Sequence, residues 1–120
     1  VQENGTVPDN MIFLQADALR LPFRERSFQT VISENLLHCL ADTGILLKGL
    51  QNILTRNGRM YFTTLIRNHR LADRYLEALA RGGKLVSRTV ADHQAVFAQL
   101  GIPVQYDING NMLSIFSEEA

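Results

Sequence analysis

The apolar positions of this chain fall into short blocks separated by polar, proline-bearing or glycine-bearing stretches. Met11 to Ala16 opens with four apolar residues in a row, which predicts a first strand covered on both faces. Leu19 to Ser27 holds Pro22 with Arg20, Arg24, Glu25 and Arg26, and predicts a loop. Phe28 to Ser33, rich in β-branched residues, predicts a second strand. Asp42 or Thr43 can then cap a helix whose Leu46, Leu50, Ile53 and Leu54 share one stripe. Arg56 suits the negative end of that helix, and Asn57-Gly58 offers a left-handed stop. Met60 to Ile66 predicts a third strand. A second helix places Leu71, Tyr75, Ala78 and Leu79 on its inward stripe and ends at Gly82-Gly83. A third, capped by Thr89, has His93, Val96, Phe97 and Leu100 inward and stops at Gly101 and Pro103.

The chain ends in a hairpin signal, with "VQYDI" and "NMLSI" flanking Asn109-Gly110. A two-residue turn there pairs Ile108 with Asn111, Tyr106 with Leu113 and Val104 with Ile115. Val104, Tyr106, Leu113 and Ile115 then face one way. Strands alternating with helices predict an α/β domain, mostly parallel, with a C-terminal antiparallel hairpin strand. Residues 1–120 read as one domain, with the polar stretch Val1 to Asn10 as a flexible lead-in.

Charge adds mainly exclusions. Twelve Lys and Arg balance twelve Asp and Glu. That balance argues against nucleic acid or an anionic membrane as the main partner, since both select for excess cations. One cysteine, Cys39, permits no internal disulfide and suits a reducing, cytoplasmic setting. No apolar run approaches the roughly 20 residues that span a bilayer. No spacing of His, Cys and Asp suggests a metal site.

Ligands of open α/β sheets bind beyond the carboxyl ends of the parallel strands. Three such ends are Asp17-Ala18, Ser33-Glu34-Asn35 and Ile66-Arg67-Asn68. A carboxylate beside a backbone N–H can read an adenine edge, accepting from the amine and donating to the ring. On spacing alone, Asp17 is more simply a turn residue after a strand. Cys39 reads as core, His69 as solvated and His93 as helix packing. His38, beside Leu37 and Leu40, is either a partly buried structural histidine or a substrate-facing base. Arg20, Arg24 and Arg26 read as a solvated face or, alternatively, as a patch that steers an anionic substrate.

The run "DALRLPFRERSFQTVISENLLHCLAD…LLKGLQNILTRNGRMYFTTL" resembles the second half of a class I S-adenosylmethionine-dependent methyltransferase. The similarity is strongest from Asp17 to Gly58. It implies a partial Rossmann-like sheet and S-adenosylmethionine as cofactor. It implies that Asp17 meets the adenine amine and the Ala18 backbone meets the ring. Ser33, Glu34 and Asn35 would line the methionine end, and a small-molecule methyl acceptor would lie near His38. Glu34 and His38 are the candidate catalytic bases. Gln29 stands where the family usually has Asp.

The family's glycine-rich loop and ribose-binding acid are not found in the sequence, which starts at what would be the third strand. The chain is therefore expected to be a C-terminal part of such a domain, holding about half a cofactor pocket. With the family's strand order, the Phe28–Ser33 strand would have an open edge. Either Ile12–Ala16 slides in beside it or two chains pair across it as a homodimer. The alternative to an enzyme is a non-catalytic methyltransferase-like module that uses this edge for protein association. A nicotinamide oxidoreductase is disfavoured, since no G-x-G-x-x-G occurs.

Overall fold

The computed structural model describes residues 8–118. The elements run β1 (Phe28–Glu34), a 3-10 turn (Leu37–Cys39), α1 (Thr43–Ile53), β2 (Leu54–Leu65), α2 (Ala72–Arg81), α3 (Val90–Gln99), β3 (Val104–Asn109) and β4 (Met112–Ser117). The sheet order is β1-β2-β4-β3. β1 and β2 are parallel, while β4 runs antiparallel to both β2 and β3. This is the partial Rossmann-like sheet that the resemblance implies, ending in the antiparallel hairpin that the pattern predicts; its parallel part is the β1–β2 pair.

The core lies on one face of the sheet. Leu46, Leu47, Leu50 and Ile53 of α1 and Phe97 of α3 close over Met60, Phe62, Leu113 and Ile115. Each such side chain contributes about 1.5–3 kcal/mol by leaving water. Phe62, Phe97 and Tyr106 stack edge-on in series, with centroid spacings of 5.7 and 6.3 Å. The opposite face starts with Ile32 (67% exposed) and Tyr61 (39%).

Five expectations need correction. Met11 to Ala16 is not a strand: it has no ladder partner, and Ile12 is 89% exposed. It does not slide in beside β1, which remains an edge strand. An apolar run becomes a strand only where a neighbour can take its N–H and C=O groups. The polar lead-in Val1–Asn10 lies, through residue 7, outside the described residues.

The stop after α1 is the second correction. Helix α1 ends at Ile53, and Gly58 has no positive φ. Residues 55–58 instead form an irregular stretch within β2, between the Phe28↔Leu54 and Thr30↔Arg59 pairs. A Cβ on Gly58 would sit 2.9 Å from Leu54 Cδ2, so close approach, not a left-handed turn, selects glycine here.

The remaining corrections concern α2, the hairpin and Cys39. Leu76 is the buried residue of α2, while Leu71, Tyr75 and Ala78 face outward. The hairpin turn is Gly110-Asn111, so Ile108 pairs with Leu113 and Tyr106 with Ile115. The slip is two residues, so each side chain keeps its face. Gly110 alone in the turn has a positive φ (62°), the glycine-first pattern of a type II′ turn. Cys39 is exposed rather than core.

Candidate functional site

The loop that carries Asp17 is anchored from below. Ala18 and Leu21 pack against the core. Leu21 lies over Gly49 of α1, where an added Cβ would come within 3.4 Å of it. Phe23 meets the ring of Phe28 edge-on at 4.9 Å. Asp17 itself is exposed, and its Oδ1 accepts from the Leu19 N–H at 2.9 Å. The Arg20 N–H donates to the Asp17 carbonyl at 3.0 Å. Asp17 is thus a turn residue by geometry, with Oδ2 left over for another donor.

The end of β1 presents a second group. Asn35 adopts a left-handed φ of 57°, and its N–H donates to the Thr63 carbonyl at 2.8 Å. The chain turns there, just beyond the parallel ladder. Glu34 is exposed. Ser33 Oγ is buried and has no hydrogen-bond partner. A buried hydroxyl without a partner is costly by about 1–3 kcal/mol.

His38 sits behind this turn. The Leu65 N–H donates to His38 Nδ1 at 3.2 Å, so Nδ1 is an acceptor and the ring proton belongs on Nε2. Thr64 Oγ1 lies 3.1 Å from the same nitrogen, and Thr64 is fully buried. Burial lowers the His38 pKa, which favours the neutral ring.

Sequence reasoning missed Arg88. Its guanidinium donates to the carbonyls of Leu37 (2.9 Å), Leu40 (2.6 Å) and Ala41 (3.0 Å). The Val86 N–H donates to the His38 carbonyl at 2.7 Å. The segment before α3 therefore clamps the 3-10 turn. No local signal marks this, because the partners are 47 to 51 residues apart. Among the described residues, no hydrogen bond or ion pair joins Asp17 to Ser33, Glu34, Asn35 or His38. A cavity of about 780 Å³ lies at the other end of the sheet, against Arg26, Arg56, Asn57, Met60 and Ile102.

A model of the methyltransferase domain family matches residues 1–62, just over half of the 120. This chain belongs to that family. The match takes in Asp17, Ala18, the Ser33–Asn35 turn and His38. No curated protein matches the chain. Solved structures share its fold at low identity. A SAM-dependent methyltransferase from Thermotoga maritima is 15% identical, with a TM-score of 0.73 over 89% of this chain and 63% of that one. A protein from Haloferax volcanii, solved in complex with a methyltransferase activator, is 18% identical, with a TM-score of 0.76 over 95% and 64%. A geranyl diphosphate C-methyltransferase from Streptomyces coelicolor, solved with Mg2+, geranyl diphosphate and S-adenosyl-L-homocysteine, is 8% identical, with a TM-score of 0.69 over 88% and 53%. The chain thus spans less than two thirds of each of these structures. Among the described residues, no helix is long and apolar enough to cross a membrane.

Proposed function

We propose that this chain is the C-terminal part of an S-adenosylmethionine-dependent methyltransferase that acts on a small-molecule acceptor in the cytoplasm. The family match over residues 1–62 carries this reading, because it contains every residue argued to meet the cofactor. The residues fit such a group: Asp17 keeps a free carboxylate oxygen, and Ser33 Oγ is buried without a partner at the strand end. When bound, the cofactor supplies an electrophilic methyl on a sulfonium sulfur.

The chain's own part is binding and alignment. Asp17 and the Ala18 backbone take the adenine edge, and Ser33, Glu34 and Asn35 line the methionine end. Glu34 is the base for an acceptor that needs one. His38, with Nδ1 occupied by the Leu65 N–H, acts through its Nε2–H as a donor. In this reading these groups supply one wall of the cofactor pocket. Calorimetry with S-adenosylhomocysteine is expected to give weak or no heat for the 120-residue chain. It should give saturable binding once the upstream coding sequence is joined to it, weakened by Asp17→Ala. An extended protein that still does not bind would overturn the reading. Unchanged turnover in the extended Glu34→Gln/His38→Gln protein would remove both residues from catalysis.

The free edge of β1 supports a second reading, a methyltransferase-like module that associates through that edge, as a homodimer or with another protein. Light scattering distinguishes it: a monomer with weak hydrophobic-dye binding counts against the dimer.

A further inference from the structure

The cavity of about 780 Å³ opens at the amino ends of β1 and β2, and none of Asp17, Ser33–Asn35 or His38 borders it. Three arginines do: Arg26, Arg56 and Arg59. Arg26 precedes β1, while Arg56 and Arg59 belong to the start of β2.

The backbone fixes where these side chains begin. Arg26 adopts a left-handed φ of 54°, which a residue with a Cβ keeps only where its surroundings hold it. The end of α1 holds it here. The Arg26 N–H donates to the Asn52 carbonyl at 3.0 Å, and the Ser27 N–H to the Ile53 carbonyl at 2.7 Å. The other two arginines owe their place to the irregular stretch of β2. Between Phe28↔Leu54 and Thr30↔Arg59, β1 has one residue and β2 has four. The surplus chain bulges at the strand entry and carries Arg56. Buried Leu54, Met60 and Ile102 stand behind it.

Charge at this cavity does not cancel. One lining carboxylate, Glu118, and the negative pole of α1, about half a unit charge, oppose three guanidiniums. Glu25, beside Arg26 in sequence, does not line the cavity. Arg59 has an interaction of its own, so the case rests on the other two. Setting Arg59 against Glu118 leaves Arg26 and Arg56 opposed only by the helix pole. Among the described residues, no hydrogen bond or ion pair engages the side chain of Arg26 or Arg56. Gln51 and Asn57 also line the cavity, and their amides have no partner among the described residues.

A guanidinium matches phosphate through two parallel N–H···O bonds. The volume is that of a small-molecule site. We propose that this cavity binds a small molecule bearing a multiply charged phosphate group. Arg26 and Arg56 hold the anion, and Gln51 and Asn57 add neutral donors. The site stands apart from the residues argued to meet the cofactor, so its occupancy needs neither cofactor nor turnover.

Inorganic pyrophosphate is the probe, titrated into the isotope-labelled 120-residue chain at constant ionic strength and followed by NMR. Saturable shifts are expected at the amides of Arg26, Ser27 and residues 55–59. Shifts centred on Asp17–Leu19 or Ser33–Asn35 overturn the proposal, as does an absence of saturation. Arg26→Gln/Arg56→Gln should weaken binding about tenfold or more, as expected for loss of charge-assisted hydrogen bonds. Unchanged binding in that variant overturns the site. Arg70→Gln/Arg74→Gln, exposed elsewhere, should leave binding unchanged; an equal loss there would show attraction to general charge and refute a specific site. If circular dichroism shows that Arg26→Gln/Arg56→Gln misfolds, the shift map of the wild type decides. Tighter binding of a single-stranded oligonucleotide than of pyrophosphate would assign the cavity to a nucleic-acid backbone and overturn the small-molecule reading.

Discussion

Asn111 Nδ2 donates to Asp73 Oδ1 at 2.7 Å, tying the hairpin turn to the first turn of α2. The same Nδ2 donates to the Ile66 carbonyl at 2.9 Å, and the Ile66 N–H donates to the Asn111 carbonyl at 2.8 Å. Asn68 Nδ2 reaches the Gly110 carbonyl at 2.9 Å. This knot explains the hairpin register. Pairing Asn111 with Ile108 would pull its amide away from Ile66, so the turn moves one residue onward and frees it.

Asn111→Ala should therefore destabilise the protein. The bond to the Ile66 carbonyl alone is worth about 1 kcal/mol. Urea unfolding is expected to show a lower midpoint with unchanged slope. The Asp73 carboxyl is held below its usual pKa, first by the Asn68 N–H and also by the Asn111 side chain. A carboxyl with a lowered folded pKa stabilises above its unfolded value and loses that contribution as pH falls through the folded one. Asn111→Ala should shrink this acid-side loss. An unchanged midpoint and an unchanged acid profile would show that the knot is incidental.

How much of this was legible in the sequence depends on range. The Thr89 cap of α3 is local: Thr89 Oγ1 accepts from the Asp92 N–H and Asp92 Oδ2 accepts from the Thr89 N–H, a capping box within four residues. The inward stripe of α3 also stands as the spacing predicts, with His93 and Phe97 buried. The α2 stripe misled because apolar spacing says that a helix has a face, not which way it turns. Tethering of Asp73 by Asn68 and Asn111 decided that, and those partners lie 5 and 38 residues away. Met11–Ala16 misled because a strand needs a partner as well as a pattern. Of the candidate site, Ser33–Asn35 does stand at the end of a strand, as the pattern predicts, whereas Asp17 stands in a loop with no strand before it, and Arg88 left no local signal.

Arg88→Ala should loosen the segment that carries His38. Three carbonyls lose a charged donor, and each such bond contributes about 1.5–3 kcal/mol in isolation. Since the three share one guanidinium, a loss of about 2–4 kcal/mol is expected. Arg88→Lys should recover little of it, because an ammonium cannot span three carbonyls in one plane. Hydrogen exchange gives the local readout: amides of Leu37–Ala41 should exchange faster, while those of β3 and β4 change only with global stability. Uniform acceleration across the chain would refute the clamp.

Gly58→Ala should destabilise without a change in φ preference. The new Cβ would meet Leu54 Cδ2 at 2.9 Å and the Thr55 carbonyl at 3.0 Å. Overpacking of this kind costs about 1–3 kcal/mol. Leu54 can be shortened to test the cause. Leu54→Ala in the Gly58→Ala background should cost less than Leu54→Ala in the wild type. Strict additivity in that cycle would place the strain elsewhere.

His93 should make the fold sensitive to acid. The ring is 1% exposed on α3, and Nε2 is buried without a partner. Burial, with the Arg88 charge adding to it, lowers its pKa from 6.5 to about 4, partly opposed by Asp92. The unfolded chain therefore takes up this proton first as pH falls. Stability from the neutral ring is complete above pH 6.5, declines between 6.5 and about 4, and is lost below that. The full effect amounts to about 3 kcal/mol. His93→Gln should be less stable at neutral pH through imperfect packing, yet show a flatter profile over this window. Thermal midpoints of both proteins across the range would measure it. Parallel profiles for wild type and His93→Gln would show that another group carries the acid sensitivity.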